Sequence, residues 1–150
     1  MNLRPYQDAC IAATLDAFET YQKVLIVSAT GTGKTVVLAK IAEHFAVKGR
    51  ILFLAHREEL IRQACDKIAA WTSLSTAVEM GAERADGFFG SSADVVVASV
   101  QSMVRRLAEF ARGEFGLVVV DEAHRHGNGE NSYGAIVAHL RVAVNVAADG

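Results

Sequence analysis

The 150-residue sequence predicts an α/β fold in which a mostly parallel sheet is covered on both faces by helices. Three observations predict it. Short, continuously apolar runs alternate along the chain with segments of helical apolar spacing, and such runs read as strands buried on both sides. A glycine-rich turn, Gly31-Thr32-Gly33, lies between one run and the helix after it, and an acidic pair, Asp121-Glu122, ends another. In open parallel sheets, ligands sit in the crevice outside the carboxyl ends of the strands, where both features fall.

Taken in order, apolar spacing gives a first helix from about Tyr6 to Thr20, with Ile11, Leu15 and Phe18 on one face. Val24-Leu25-Ile26-Val27 is a first strand, buried on both sides. After the glycine turn, a helix runs through Val36, Val37, Ile41 and Phe45 and ends near Gly49. Ile51 to Leu54 is a second buried strand, and Glu58 to Ala70 a helix carrying Leu60, Ile61 and Ile68. Ser75 to Met80 reads as a short strand, and Gly81 to Ser92, with its glycines and serines, as a surface loop. Val95 to Val97 is a strand, Gln101 to Ala111 a helix and Leu117 to Val120 a strand. A loop from Gly127 to Ser132 and a helix from Tyr133 to Leu140 follow. No internal repeat or linker interrupts residues 1–150, which read as one domain.

Composition narrows the class. A chain of this length buries roughly 68–70% of the surface that it exposes when unfolded. With 51% hydrophobic residues and a single proline it is a folded chain, not a disordered one. The net charge of −2 gives no general attraction to a phosphate backbone, so any nucleic-acid contact has to be local. Cys10 and Cys65 lie far apart without metal or redox spacing and read as buried reduced thiols. The N-terminal segment has no apolar core of a secretory signal, and runs such as Leu117 to Val120 are far too short to cross a bilayer. A soluble cytoplasmic protein without a membrane partner is expected.

The strongest chemical signal is Ala29-Thr30-Gly31-Thr32-Gly33-Lys34-Thr35, placed after a strand and before a helix. Glycines let the backbone turn its N–H groups toward phosphates, and the helix start adds partial positive charge. Lys34 reaches the β- and γ-phosphates, and the Thr35 hydroxyl ligates Mg²⁺. Ser28 stands where a strict phosphate-loop pattern has its first glycine. A mere glycine turn with a solvated lysine is the bland alternative, and the strand-loop-helix context argues against it. At the second signal, Asp121 can hold Mg²⁺ and Glu122 can orient a water. Alone, an acidic pair after a strand is usually a solvated turn; together with a phosphate loop it completes one ATP site.

Thr30 to Thr35 and Asp121-Glu122-Ala123-His124 resemble motifs I and II of the superfamily 2 helicases and translocases. That group tolerates a residue other than glycine at the position of Ser28. Leu3-Arg4-Pro5-Tyr6-Gln7 is similar to its N-terminal glutamine motif, which implies that Gln7 reads the adenine edge, as an amide can by donating and accepting at once. Leu54 to Leu60 is similar to motif Ia, and Val97 to Met103 to the later strand-end motif that touches a nucleic-acid strand. The resemblance therefore implies nucleic-acid contacts at Arg57, Ser99 and Gln101, and a link from His124 to the neighbouring motif and domain. It points to the branch of type III restriction-enzyme motor subunits and related DNA helicases, and away from the RNA-specific DEAD-box group. On residues alone, Gln7 is a solvated helix start, Arg57 a surface charge and Ser99 a helix cap. Arg105, Arg106 and Arg112 read mainly as a solvated face.

The resemblance implies a three-layer RecA-like P-loop NTPase domain that uses ATP and Mg²⁺ and acts on DNA with a second RecA-like domain. Two departures qualify it. Where the family carries a Ser/Thr-Ala-Thr strand end, this chain reads Val144 to Gly150 without the two hydroxyls, and Asp149 brings a negative charge. The second RecA-like domain, with its arginine fingers, is absent from these 150 residues. The chain acting alone is expected to bind ATP weakly and hydrolyse it slowly at best. Two alternatives stand beside this: a non-enzymatic split half that works only with a partner chain, and a P-loop ATPase or kinase unrelated to nucleic acid.

Overall fold

A computed structural model describes residues 2–29, 31–84, 93–121, 130–140 and 144–149. Helix α1 spans Pro5–Ala17, strand β1 Lys23–Val27, α2 Lys34–Phe45, β2 Arg50–Ala55, α3 Glu58–Trp71 and β3 Thr76–Glu79. Then come β4 Val95–Ser99, α4 Val100–Arg105, β5 Phe115–Val120, α5 Glu130–Leu140 and β6 Val144–Asp149. The six strands form one sheet in the order β1-β6-β5-β2-β4-β3. Every pairing between these strands is parallel.

The two-residue period of the strands makes the three layers. From β2, Ile51 and Phe53 enter one core with Val37 and Ile41 of α2 and Ile61 and Ile68 of α3. The alternate residues Leu52 and Leu54 enter a second core with Met103 of α4 and Ile136 and Leu140 of α5. Side chains from Leu117 to Val120 of β5 divide in the same way, Leu117 and Val119 to the first core and Val118 and Val120 to the second. Central strands bury both faces, so their sequences are apolar throughout.

At the start of α1, Pro5 supplies a fixed φ and Gln7 acts as the cap, its Oε1 accepting from the Arg4 N–H at 2.9 Å. The helix ends three residues before the expected Thr20. At the far end of α2, a 3-10 turn over Ala46–Lys48 leads to Gly49 at φ 151°. A Cβ on Gly49 would meet the Gly116 nitrogen at 3.2 Å, so a bare glycine stops the helix there, as the sequence predicts.

Five expectations need correction. Among the described residues β1 stands at an edge of the sheet and is not buried on both sides: Leu25 is 57% exposed and Val27 72%. Its apolar run looks like the central ones, and strand order, which the run does not encode, decides the difference. α4 is half the expected length, because Arg106 leaves helical geometry and turns its side chain to Glu79. That contact, together with bonds to the carbonyls of Gly81 and Glu83, takes Arg106 off the predicted solvated face, while Arg105 and Arg112 remain exposed. α5 begins at Glu130, so 130–132 are helix where a loop was expected; 127–129 lie outside the described residues. Cys10 and Cys65 are free thiols as expected but only half buried, and burial pushes the Cys65 thiol up. The expected loop from Gly81 to Ser92 is described only to Arg84, where Met80 and Glu83 close a small bridge.

Candidate active site

The carboxyl end of β1 delivers the loop from Ser28 to Gly33 to the start of α2. Gly31 and Gly33 take φ values of 82° and 78°, which glycine adopts without the penalty of a side chain. Gly33 is the N-cap of α2 and offers no side chain to its first N–H groups. Those groups, with no acidic residue in the first turn of a twelve-residue helix, suit an anion. Lys34 and Thr35 open that helix. Lys34 Nζ donates to the Ser28 carbonyl at 3.3 Å, so the lysine folds back over its own loop.

Thr35 Oγ1 donates to Asp121 Oδ2 at 3.4 Å, joining residues 86 apart in sequence. Asp121 follows β5, is 5% exposed, and is fixed by its N–H, which donates to the Leu54 carbonyl at 3.0 Å. The sheet order puts only β6 between β1 and β5, which brings their carboxyl ends within reach of each other. A hydroxyl and a carboxylate side by side at an anion site suit Mg²⁺, which typically takes one or two carboxylates and fills its other positions with phosphate oxygens and water. The donor set fits the ion.

Thr32 is the hub of the loop. Its hydroxyl donates to the Ala29 carbonyl at 2.7 Å and lies 2.7 Å from Ser28 Oγ, so serine at the place of the first glycine has a structural use. Its carbonyl accepts from Tyr6 Oη at 2.8 Å and from Gln7 Nε2 at 3.1 Å. A Cβ on Gly33 would lie 2.5 Å from Gln7 Nε2, so the Gln7 amide rests directly on the glycine loop. Gln7, buried, keeps one N–H and one lone pair unspent by these bonds. A cavity of about 280 Å³ opens beside it, with Arg4, Gln7, Gly31, Thr32 and Gly33 in its lining. Sequence reasoning gave Tyr6 no role; its place beside Gln7 in the same motif was the available signal.

Strand register sets the other predicted residues. Ala55 pairs with Ser99, so the residues following β2 and β4 leave the sheet side by side. There Gln101 Nε2 lies 3.4 Å from His56 Nδ1, and Arg57 is exposed next to His56. Ser99 is buried and turned inward, its hydroxyl capping α4 by accepting from the Ser102 N–H at 3.2 Å. Thr30, Glu122 and His124 lie outside the described residues.

The family described as the type III restriction enzyme res subunit matches residues 1–147. The chain belongs to that family. Among relatives of this res-family domain is the Saccharomyces cerevisiae protein named "Putative ATP-dependent helicase IRC3", 34% identical over 149 residues, which are 93% of this chain and 21% of that protein. The Escherichia coli type I restriction enzyme EcoKI endonuclease subunit is 33% identical over 139 residues, 83% of this chain and 12% of its own length. The fold is that of the UvsW helicase from bacteriophage T4, with a TM-score of 0.77 at 21% identity over 100% of this chain and 53% of the other. The expected RecA-like P-loop architecture is therefore the observed one. The res-family chain spans about a fifth or less of the length of these two curated relatives.

Proposed function

We propose that this res-family domain is the ATP-binding half of an ATP-driven DNA helicase or translocase, completed by a second RecA-like domain. One observation carries the proposal: Thr35, opening the helix after the glycine loop, shares a hydrogen bond with Asp121 at the end of β5. The family and the names of its relatives, a helicase and a restriction subunit, support the same reading.

In this reading the first N–H groups of α2 and the Lys34 ammonium receive the β- and γ-phosphates, with Thr30 to Gly33 wrapped around them. Gln7 offers its unspent N–H and lone pair to the adenine edge. Thr35 and Asp121 would hold Mg²⁺, which when bound neutralises charge on the phosphates. Glu122 orients the attacking water and accepts its proton, and His124 couples the site to the neighbouring motif and domain. Arg57 and Gln101 meet the DNA backbone through a few local contacts, as a chain of net charge −2 requires, while Ser99, buried, supports them by capping α4.

The chain alone binds ATP weakly and turns it over slowly, because an arginine finger from a second domain is worth about 10³–10⁵ in rate. No described helix is long and apolar enough to cross a membrane. An ATP-driven machine works where ATP is, and cytoplasmic placement belongs to this proposal.

The test is equilibrium binding of a fluorescent ATP analogue with Mg²⁺, comparing the chain with Lys34→Ala, each with and without DNA. Saturable binding that Lys34→Ala loses and DNA alters is expected. Equal binding by both chains would contradict the site, and steady DNA-stimulated turnover by the single chain would contradict its dependence on a second domain.

A further inference from the structure

We infer that Tyr6 is a positioning residue of the phosphate loop, acting through the main-chain carbonyl of Thr32; the inference rests on the ATP-site reading above. Tyr6 is 46% exposed, so its ring adds little to the core. Its hydroxyl nevertheless reaches across 26 residues of sequence to the Thr32 carbonyl at 2.8 Å. Arg4 Nη1 donates to the same hydroxyl at 3.2 Å, and a hydroxyl that accepts from a cation is a stronger donor.

The carbonyl it holds belongs to an unusually free peptide unit. Thr32 lies between two glycines at positive φ, and Gly33 on its far side puts no Cβ in the way of rotation. A trans peptide is planar, with its C=O and N–H pointing opposite ways. Holding the Thr32 carbonyl toward α1 therefore aims the Gly33 N–H away from α1. Tyr6 and Gln7 together occupy both lone pairs of that oxygen. The Thr32 hydroxyl, donating to Ala29 and accepting from Ser28, fixes the side chain and leaves the carbonyl to these two donors. When Gln7 turns toward a base, Tyr6 still holds the carbonyl. Tyr6 thus keeps the loop's N–H groups set for phosphate, and Gln7 is left to discriminate the base.

Calorimetric titration with ATP and with inorganic tripolyphosphate, each with Mg²⁺, separates these roles in the parent chain, Tyr6→Phe, Gln7→Ala and Lys34→Ala. Tyr6→Phe keeps the ring and removes one neutral hydrogen bond, so both ligands should weaken alike, by about three- to tenfold. Gln7→Ala should weaken ATP more than tripolyphosphate. Tyr6→Phe binding both ligands like the parent overturns the inference, whether or not its melting temperature falls. Loss of ATP binding alone in Tyr6→Phe also overturns it, since that marks a base contact. If the parent and Lys34→Ala bind tripolyphosphate equally, the ATP site falls and the inference with it; loss in Lys34→Ala with none in Tyr6→Phe removes only the inference.

Discussion

The two edges of the sheet are pinned by opposite chemistry. Beside β1, Thr32 is held by four neutral hydrogen bonds: its carbonyl accepts from Tyr6 and Gln7, and its hydroxyl donates to the Ala29 carbonyl and accepts from Ser28. Beside β3, the turn at Gly81 is held to α4 by charge: Arg106 donates to Glu79 at 2.5 Å and to the carbonyls of Gly81 and Glu83. Glu79 is 1% exposed, and the Gly81 N–H donates to Ser102 Oγ, whose own backbone N–H is held by Ser99. A neutral hydrogen bond contributes a net of about 0.5–1.5 kcal/mol and can be exchanged for a bond to a ligand. A buried ion pair that loses one member costs about 3–5 kcal/mol. The first edge can trade partners when something binds. The second keeps its shape and holds the strand end that carries Ser99 and Gln101.

The largest effect that would test this contrast is at Glu79. Replacing Glu79 with Ala leaves Arg106 half-enclosed without its carboxylate and should destabilise the fold by about 3–5 kcal/mol in urea unfolding. Nucleotide affinity of the protein that stays folded should not change. Lys34→Ala should do the reverse: affinity falls by roughly ten- to a hundredfold, the worth of a charged hydrogen bond, and stability stays within about 0.5 kcal/mol. If either substitution produced the other's signature, the division between the edges would be wrong.

A smaller effect lies within the loop. Gly33→Ala strains a φ of 78° and places a methyl 2.5 Å from Gln7 Nε2. It should cost about 1–2 kcal/mol from the left-handed backbone alone. Made in a Gln7→Ala background, it should cost less than in the parent, because the two side chains compete for one space. Strictly additive losses in that double-mutant cycle would show that Gln7 does not rest on the glycine. The smallest effect is at β1: Val27, 72% exposed, should tolerate threonine within about 0.5 kcal/mol. The same change at Val118, fully buried in β5, should cost about 1–3 kcal/mol for its unpaired hydroxyl.

The same comparison explains what could be read in advance. Ile51 to Leu54 and Leu117 to Val120 declare themselves because both faces of a central strand are buried, and α2 because its apolar residues follow the helical period. That Thr35 and Asp121 come together was legible because the proposed chemistry requires particular residues at particular strand ends. What escaped depends on distant partners. Val24 to Val27 is as apolar as the central strands, yet the sheet order leaves it at an edge. Arg106 reads as a solvated charge until Glu79, 27 residues earlier, is seen beneath it. Tyr6 gains its place only when the loop folds back to bring the Thr32 carbonyl to it.

The central claim is that residues after β1 and β5 form one nucleotide-Mg²⁺ site, and Mg²⁺ dependence tests it most directly. ADP affinity would be measured with Mg²⁺ and with the ion chelated, for the parent chain and for Asp121→Asn. The parent should bind more tightly when Mg²⁺ is present, and Asp121→Asn should bind equally under both conditions, at the parent's chelated affinity. An undiminished Mg²⁺ effect in Asp121→Asn would contradict the account, because the ion would then be held without the carboxylate that meets Thr35.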